Sequence, residues 1–556
     1  MILLLVLVSS ALLPSFAQIL ELKIGKVLGF DHKTKKGDYA EVFLNIPYAS
    51  APVGDLRFEK PTPPKSWRDI RDGRTFGASC HPIVKEAIIP PEHPDEDCLT
   101  LNILRPKKEA SYPGFPILFW VHGGGYEVGS ASMYGYKGFA DIYTANDIIV
   151  VTIQYRLGVY GFFSTGDSRI PGNLGLFDIA EALKFVHANA ENIGGDPSRI
   201  TVWGHSAGSA AVGQLMLSPV TRDYIPRSIE MSGSPWAAWA LGTAVANNSL
   251  ELAQVLGCGI EVKSCLKQKT VEEIYEGIKQ VVSRFIKWGA VIDDEFLQHP
   301  DVMVADAPPK VSIVGLASKE AALFSVMGIA PYLHRLGVSS TDFPKWNRDK
   351  LINELKKFVH LANVGTHEED LINEIVAYYV DRGEEQHYEF YLDRYTEFLS
   401  DLLFNVPGVD SILARRNTGW DLYAYFFNHY NDAIWDKNFP MKMKGSPHAS
   451  EFLYTKDVSF FSEFEFNDEE RVVADVFRQS FIEFVKIGAP SNDHEVWLEV
   501  GDGDNLRYLE ISPNPQMRQG FYNESVSFWH RMRKYGFDMT RLMPTADSAK
   551  RMKEEL

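Results

Sequence analysis

The chain has 556 residues, a formal net charge of −17 and an isoelectric point near 5.4. This acidic balance argues against a nucleic-acid partner, which requires a basic surface. No linker, repeat or low-complexity segment divides the sequence, so we predict one large domain over residues 18–540, followed by a tail of residues 541–556.

The chain begins with an apolar run over residues 2–13, which is too short to span a bilayer. Small residues at Ser15 and Ala17 are typical of a signal peptidase site. We predict a cleaved signal peptide over residues 1–17 and a mature chain that starts near Gln18, although no Lys or Arg precedes the run. A buried N-terminal strand is the alternative. No later segment indicates a stable membrane anchor.

Strand-like and helix-like segments alternate along the first half of the chain. The runs over residues 116–121 and 148–153 are fully apolar, as central parallel strands are. Residues 178–192 have the apolar spacing of a helix, and residues 245–400 are mostly helix-like. This alternation predicts an α/β fold with a mainly parallel sheet. The predicted strands are a pair within residues 20–30 and single strands at 99–104, 116–121, 148–153 and 228–231.

Four cysteines fit the oxidising compartment that a signal peptide implies. Cys80 and Cys98 bracket one segment, and Cys258 and Cys265 bracket a shorter one. Sequential pairing, Cys80 with Cys98 and Cys258 with Cys265, is one of three possible connectivities.

Two N-glycosylation acceptors, Asn247 in Asn-Asn-Ser and Asn523 in Asn-Glu-Ser, fit the same compartment. The last four residues, Lys-Glu-Glu-Leu at 553–556, resemble the Lys-Asp-Glu-Leu retrieval signal of the ER lumen. We therefore predict a glycoprotein of the secretory pathway that is retained in the ER lumen, with secretion as the alternative.

Three glycines follow the strand predicted at 116–121, in the sequence His122-Gly123-Gly124-Gly125. Without side chains, their backbone N–H groups can approach a substrate closely. This pattern supplies oxyanion donors in lipases and esterases. A nucleotide-binding loop is not indicated, because neither Gly-x-Gly-x-x-Gly nor Gly-Lys-Ser/Thr follows.

Residues 204–208, Gly-His-Ser-Ala-Gly, lie between a strand-like apolar run at 200–203 and a small-residue run at 209–217 that is typical of a helix. This is the context of a nucleophile elbow, a tight turn that presents Ser206 at the end of a strand with the positive end of a helix behind it. Together with the glycine loop, the elbow predicts a hydrolytic serine site.

The motifs resemble those of the type-B carboxylesterases, the cholinesterase/carboxylesterase family of α/β-hydrolases, over about residues 20–535. The chain is also similar to the gut-type esterases of nematodes. The resemblance implies an α/β-hydrolase fold, with a large, mostly parallel sheet flanked by helices. Besides the glycine loop and the elbow, the matching motifs are Glu96-Asp97-Cys98-Leu99-x-Leu101-Asn102, Tyr155-Arg156-Leu157-Gly158, Gly172-Asn173-x-Gly175-Leu176-x-Asp178, Gly194-Gly195-Asp196-Pro197 and Ser232-Gly233-Ser234.

The family orders its catalytic triad as serine, acid and histidine, and the resemblance implies Ser206, Glu320 and His448 for these roles. His429 matches a family position that is not catalytic. The departures from the family pattern around the acid and the base are Ala317 for Asn, Ala321 for Gly and Ala449 for Gly.

These residue types suit nucleophilic catalysis, because a serine hydroxyl is a poor nucleophile until an imidazole accepts its proton. We expect His448 to be this base and then the acid for the leaving alcohol, while Glu320 orients the imidazole and stabilises its cation. The backbone amides of Gly124, Gly125 and Ala207 are expected to hold the oxyanion. The chemistry needs neither a metal nor an organic cofactor.

Other matching positions are structural in the family. The resemblance implies ion pairs of Arg57 with Glu96 and of Arg156 with Asp178, which lock loops, and it places Ser232 beside the triad.

The resemblance also bears on the substrate. Cholinesterases stack the quaternary ammonium of choline on a tryptophan in the first disulfide loop, whereas residues 81–97 contain no Trp, Tyr or Phe. Poor selectivity for choline esters is therefore expected. Trp239 matches the tryptophan of the cholinesterase acyl pocket, and Trp236 lies nearby. If both rings restrict the acyl group rather than fill the core, the small-molecule substrates are short-chain, uncharged carboxylic esters.

Ester hydrolysis has two alternatives. An acyltransferase would pass the same acyl group to a sugar or another alcohol instead of water. A non-catalytic adhesion protein on the same fold would lack the serine or the histidine, and this chain keeps both. The sequence does not indicate an oligomeric state.

Overall fold

The computed structural model describes residues 18–537, apart from residues 90–91, 243, 282–286, 330–335, 363, 384–386 and 463. The predicted signal peptide at 1–17 and the tail at 541–556 lie outside the described residues. Within the described ranges, no helix is both long enough and apolar enough to cross a bilayer.

A single sheet runs through the described part of the chain and contains thirteen strands. The strands are β1 Gln18–Leu22, β2 Gly25–Lys33, β3 Tyr39–Pro47, β4 Arg71–Asp72, β5 Thr100–Pro106, β6 Phe115–Val121, β7 Ile149–Ile153, β8 Gly195–His205, β9 Arg227–Met231, β10 Val311–Ala317, β11 Asp421–Phe427, β12 Arg507–Ile511 and β13 Gln516–Gln519. All strands predicted from the sequence are present, with boundaries that differ by a few residues.

The strand order is β1-β2-β3-β5-β7-β6-β8-β9-β10-β11-β12-β13, with β4 paired to β2. The seven strands from β7 to β12 in this order are parallel to one another. Both edges are antiparallel, at β1-β2-β3-β5-β7 on one side and β12-β13 on the other. The predicted, mainly parallel α/β sheet is thus confirmed.

Helices cover both faces of the sheet. The α-helices of the described residues are α1 Lys137–Ile142, α2 Gly158–Phe162, α3 Leu174–Asn189, α4 Ala207–Leu217, α5 Val245–Val255, α6 Val262–Gln268, α7 Val271–Ile278, α8 Pro300–Asp306, α9 Ala322–Ser325, α10 Arg348–Ala362, α11 Glu368–Ile375, α12 Tyr388–Ser400, α13 Val406–Arg416, α14 Phe452–Lys456, α15 Asp468–Ile487 and α16 Asn523–Met532. Two π-helical segments, Val376–Val380 and Asp401–Asn405, follow α11 and α12.

Strand β6 explains why the central runs lack polar residues. Ile117 and Phe119 belong to one hydrophobic cluster, which also contains residues of α3 and α4. Leu118 and Trp120 belong to a second cluster, which contains residues of α15. Because successive side chains of a strand point to opposite faces, both faces of β6 are buried and every position is apolar.

The parallel strands bring the candidate site together at their carboxyl ends, where open α/β sheets bind ligands. The elbow follows β8, the predicted acid follows β10, and the predicted base lies in the loop after β11.

Candidate active site

Ser206 joins β8 to α4 with φ 58° and ψ −127°. A non-glycine residue in such a sparsely populated conformation costs about 1–3 kcal/mol and persists only where its surroundings enforce it. Here the Ser206 amide donates a 2.9 Å hydrogen bond to the carbonyl oxygen of Met231 in β9. Gly208 allows the close approach, since a Cβ atom there would lie 2.3 Å from the Val121 carbonyl oxygen. The predicted strand, turn and helix are present.

The glycine loop passes directly beside the elbow. A Cβ atom at Gly123 would lie 3.0 Å from Cβ of Ser206, and Gly124 has φ 113°, which favours glycine. Among the described residues, the amides of Gly124, Gly125 and Ala207 donate no hydrogen bond. Ala207 begins α4, so its N–H has no acceptor within the helix. These three amides are available to a negatively charged oxygen near Ser206.

Glu320 and His448 are 128 residues apart in the chain and form a buried pair, with 2.7 Å between His448 Nδ1 and Glu320 Oε2. The two loops that carry them are joined by hydrogen bonds. The Lys319 amide donates to the Ser446 carbonyl oxygen over 2.9 Å, and the Ser446 amide donates to Ser318 Oγ over 3.0 Å. When Nδ1 donates to the carboxylate, Nε2 of the imidazole remains as a proton acceptor.

A polar network lies behind Glu320. Its second oxygen, Oε1, accepts hydrogen bonds from Ser232 Oγ over 2.6 Å and from the Ala317 amide over 2.7 Å. Ser232 Oγ also lies 3.3 Å from Oε1 of Glu451. Burial, reinforced by the charge of Glu320, raises the pKa of Glu451 to about 8, so that Glu451 is protonated at neutral pH. Glu451 lies three residues after His448, and the sequence analysis assigned it no role.

The loop departures leave this geometry in place. Ala449, which stands where the family pattern has Gly, keeps the left-handed backbone of a glycine, with φ 71°. Ala317 supplies its backbone amide to Glu320 and therefore needs no particular side chain. His429 lies apart from the triad, with Nε2 3.4 Å from Oε1 of Glu470.

Ser206 and His448 line one cavity of about 320 Å³. In the described part of the chain, His448 Nε2 has no hydrogen-bond partner. The cavity wall is mostly apolar and includes Trp239, whose indole N–H donates to the Leu403 carbonyl oxygen over 2.7 Å. Trp236 is not among the described lining residues; its indole N–H donates to Asp301 over 2.7 Å.

The cysteines pair sequentially, as Cys80–Cys98 and Cys258–Cys265, which selects one of the three possible connectivities. Both predicted ion pairs are confirmed. Arg57 Nε donates to Glu96 over 2.6 Å. The guanidinium of Arg156 makes two hydrogen bonds to the buried carboxylate of Asp178, over 2.8 and 2.7 Å. These contacts lie around the site rather than in it.

The two glycosylation sequences lie in the first turns of helices. Asn247 is in α5, where the hydroxyl of Ser249 is buried and accepts hydrogen bonds from the Ser164 amide over 3.1 Å and from Trp288 Nε1 over 3.0 Å. Asn523 begins α16 and donates to Asn505. Glycosylation of either asparagine remains a prediction.

Comparison with known proteins agrees with this site. The profile described as Carboxylesterase family matches residues 17–529. Gut esterase 1 of Caenorhabditis briggsae is 39% identical, with 96% of each chain covered, and Gut esterase 1 of Caenorhabditis elegans is 38% identical, with 94% covered. Carboxylesterase 3B of Mus musculus is 30% identical, with 91% covered. The chain therefore belongs to the carboxylesterase family, is an α/β-hydrolase and acts as a carboxylic ester hydrolase.

Proposed function

We propose that the enzyme hydrolyses short-chain, uncharged carboxylic esters through an acyl-enzyme on Ser206. The observation that carries this proposal is the buried pair of His448 and Glu320, whose unpaired Nε2 faces the same cavity as Ser206. The three unpaired amides beside Ser206 add the groups that acyl transfer requires.

In the first half of the reaction, Oγ of Ser206 attacks the ester carbonyl carbon while Nε2 of His448 accepts its proton. The carbonyl oxygen becomes an oxyanion within reach of the amides of Gly124, Gly125 and Ala207. Each such donor typically lowers the barrier by about 3–4 kcal/mol. The bond to the alcohol oxygen then breaks, and His448 returns the proton to the departing alcohol, which leaves the acyl group on Ser206.

In the second half, water replaces the alcohol. His448 accepts a proton from the water as its oxygen attacks the acyl carbon, and a second oxyanion forms in the same place. The bond to Oγ breaks, Ser206 recovers its proton from His448, and the carboxylic acid leaves. Throughout, Glu320 holds the imidazole by Nδ1 and stabilises its positive charge.

The preference for short acyl groups rests on Trp239. Its ring lies in the cavity wall and is fixed by the bond to Leu403, so it limits the room beside Ser206. Replacing Trp239 with Ala should raise kcat/KM for dodecanoyl esters relative to acetyl esters by about 10-fold or more, as expected for removing a bulky wall from an apolar pocket. Equal kcat/KM for acetyl and dodecanoyl esters in the wild-type enzyme would contradict the preference.

We also propose that the enzyme works in the secretory pathway, retained in the ER lumen by residues 553–556. The two disulfides support an oxidising compartment. Deleting the last four residues should release the enzyme into the medium of expressing cells. Full retention of the truncated enzyme would contradict a role for this sequence.

The catalytic proposal is tested by comparing wild-type enzyme and Ser206→Ala in the hydrolysis of para-nitrophenyl acetate. The variant should lose at least about 10⁴-fold in kcat, because no other group can take the acyl chain. Ser111→Ala, a change at an exposed position, is the matched control and should retain activity. Labelling of the wild-type enzyme by a fluorophosphonate at the Ser206 peptide, and not in Ser206→Ala, identifies the nucleophile. Undiminished hydrolysis by a folded Ser206→Ala would overturn the proposal.

A further inference from the structure

The cavity beside Ser206 contains a carboxyl group that the catalytic steps do not use. Glu127 lies three residues after Gly124, lines the cavity and is 1% exposed. Among the described lining residues it is the only acid. Its neighbours in the wall are mostly apolar and aromatic side chains, including Val128, Met133 and Trp239.

Glu127 is held firmly at this position. Its amide donates to the Gly124 carbonyl oxygen over 3.0 Å, and its own carbonyl oxygen accepts from the Ile83 amide over 2.8 Å. In the side chain, Oε1 accepts from the amides of Lys287 over 2.6 Å and Trp288 over 3.0 Å. Across the described residues, no hydrogen bond involves Oε2. One carboxyl oxygen is therefore anchored, and the other has no hydrogen-bond partner among the described residues.

The charge of this group follows from its surroundings. Burial raises the pKa of Glu127 to about 8, while the two backbone hydrogen bonds and the charge of Lys287 act in the opposite direction. At neutral pH the group is mainly a carboxylic acid. Because Oε1 accepts two hydrogen bonds, the proton resides on Oε2, which makes Oε2 an uncharged donor in an apolar wall.

An unpaired buried donor costs free energy, and a ligand atom that pairs with it recovers this cost. We propose that Glu127 is a specificity-determining residue that donates a hydrogen bond through Oε2 to an oxygen of the substrate outside the reacting ester group. The favoured substrates are then esters that also carry a hydroxyl, ether or carbonyl oxygen. This inference rests on the proposed function and narrows its substrate class.

Anchoring the loop at residues 287–288 does not by itself require an acid. An amide oxygen accepts the same two hydrogen bonds, so Glu127→Gln preserves the anchor and also presents N–H groups where Oε2 lies. Glu127→Leu removes both the anchor and the donor. The two variants therefore separate recognition of the substrate from support of the loop.

The test compares substrates that differ by one ether oxygen in place of a methylene group. On the acyl side, the pair is the para-nitrophenyl ester of hexanoate and its isostere with a terminal methoxy group. On the alcohol side, the pair is pentyl acetate and its terminal methoxy isostere. In the wild-type enzyme at about pH 6.5, we expect kcat/KM to favour the oxygen-bearing member of at least one pair by about 10-fold, mostly through KM, as one hydrogen bond allows.

Glu127→Gln should keep this preference and Glu127→Leu should abolish it, while Glu109→Leu, at an exposed carboxyl, should leave it unchanged. Equal rates for both members of both pairs in the wild-type enzyme would overturn the proposal. So would an unchanged preference in Glu127→Leu, or a wild-type preference for an ammonium-bearing ester over the methoxy isostere. If Glu127→Leu does not fold, the wild-type ratios and Glu127→Gln still decide. Loss of the catalytic proposal itself would instead appear as Ser206-independent hydrolysis of every ester.

Discussion

Two cavities are lined by residues that lie close to Glu320 in the chain, Ser318 and Lys319 in one and Leu323 and Phe324 in the other. The first, of about 320 Å³, contains Ser206 and His448. The second, a cleft of about 640 Å³, is lined by Ser318 and Lys319, the two residues just before Glu320. A second pair of adjacent residues also contributes to both cavities: Phe404 lines the first cavity, and Asn405 lines the second. We call them the apolar cavity and the polar cleft.

The larger space is not the one that holds Ser206 and His448, which line only the smaller cavity. In the polar cleft, several charged side chains form ion pairs: Lys319 and Arg394 bind Asp393, and Arg382 and Arg394 bind Glu397. Among the described residues, Arg394 Nε and Asn405 Oδ1 in the same cleft still have no hydrogen-bond partner. In the apolar cavity, polar groups are few, and His448 Nε2 and the loop amides have no partner among the residues that the structure describes. The expected reactivity therefore follows from the combination of a serine, an imidazole and free backbone amides in a mostly apolar space, where each new electrostatic interaction is strong. Cavity size alone does not indicate the active site.

The largest expected difference is in kcat, between a variant of the triad carboxyl group Glu320 and a variant of a carboxyl group in the polar cleft. Glu320→Gln should lower kcat for para-nitrophenyl acetate by about 10⁴-fold, because the amide cannot hold His448 in the required tautomer or stabilise its cation. The matched variant Glu397→Gln, in the polar cleft, should lose less than about 3-fold, because it touches no reacting group. A folded Glu320→Gln within 10-fold of the wild-type rate would contradict the assignment of the acid.

The second prediction concerns the glycine loop. A Cβ atom at Gly124 would lie 2.1 Å from the Val128 carbonyl oxygen, so Gly124→Ala must displace the loop and its amides. We expect kcat to fall by about 10²–10³-fold, as it does when one oxyanion donor is lost. Binding of a product carboxylic acid and circular dichroism control for folding. An unchanged kcat would show that the loop amides do not hold the oxyanion.

The third prediction concerns Glu451, which lies beside Ser232 in the polar network behind Glu320. Its pKa is about 8 in the folded enzyme, above its ordinary value of 4.5, so the folded state binds the proton more tightly than the unfolded state. The stabilisation that this proton gives is complete below about pH 4.5 and is lost as the pH rises through about 8. The stability of Glu451→Gln relative to the wild-type enzyme should therefore increase between these values.

Urea denaturation of both proteins at about pH 5 and about pH 9 measures this shift, because the difference between their midpoints should move in favour of the variant. Buried acids that are distant from Glu451 are present in both proteins and cancel in the comparison, whereas Glu320 interacts with Glu451 and contributes to the measured difference. A difference that does not change with pH would contradict the protonated state of Glu451.

The smallest effect is expected in the polar cleft. Arg382→Met removes one of the two arginine partners of Glu397, leaves Arg394 in place and does not touch the apolar cavity, so kcat/KM should change by less than about 2-fold and the free energy of unfolding by about 1 kcal/mol or less. Kinetics with para-nitrophenyl acetate and urea denaturation provide the two measurements. A loss of activity above 10-fold would mean that the cleft acts on the catalytic groups.

The sequence predicted the central sheet and the elbow well because local physics determines them. A strand buried on both faces must be apolar throughout, and the tight turn at Ser206 leaves no room for a side chain at Gly208. The pairing of Glu320 with His448 joins loops that are distant in the chain, and it was reached only through the resemblance to a family.

Other features could not be read from residue types. Both Trp236 and Trp239 were expected in the acyl pocket, yet of the two only Trp239 is among the described residues that line the cavity; the indole N–H of Trp236 binds Asp301 instead. Glu451 and Glu127 were not predicted as functional, since the burial that changes their protonation arises only in the folded chain. Ala449 keeps a left-handed conformation for which its sequence gives no local reason.

If Asn247 is glycosylated as predicted, the burial of Ser249 implies an order of events during biosynthesis. Its hydroxyl completes the glycosylation sequence of Asn247, and in the folded enzyme the same oxygen is enclosed between Ser164 and Trp288. A glycosylating enzyme that reads Ser249 must therefore act before α5 docks. Glycan occupancy at Asn247 would then report how long Ser249 stays accessible during folding. Variants that slow the docking of α5 should carry more glycan, and variants that speed it should carry less.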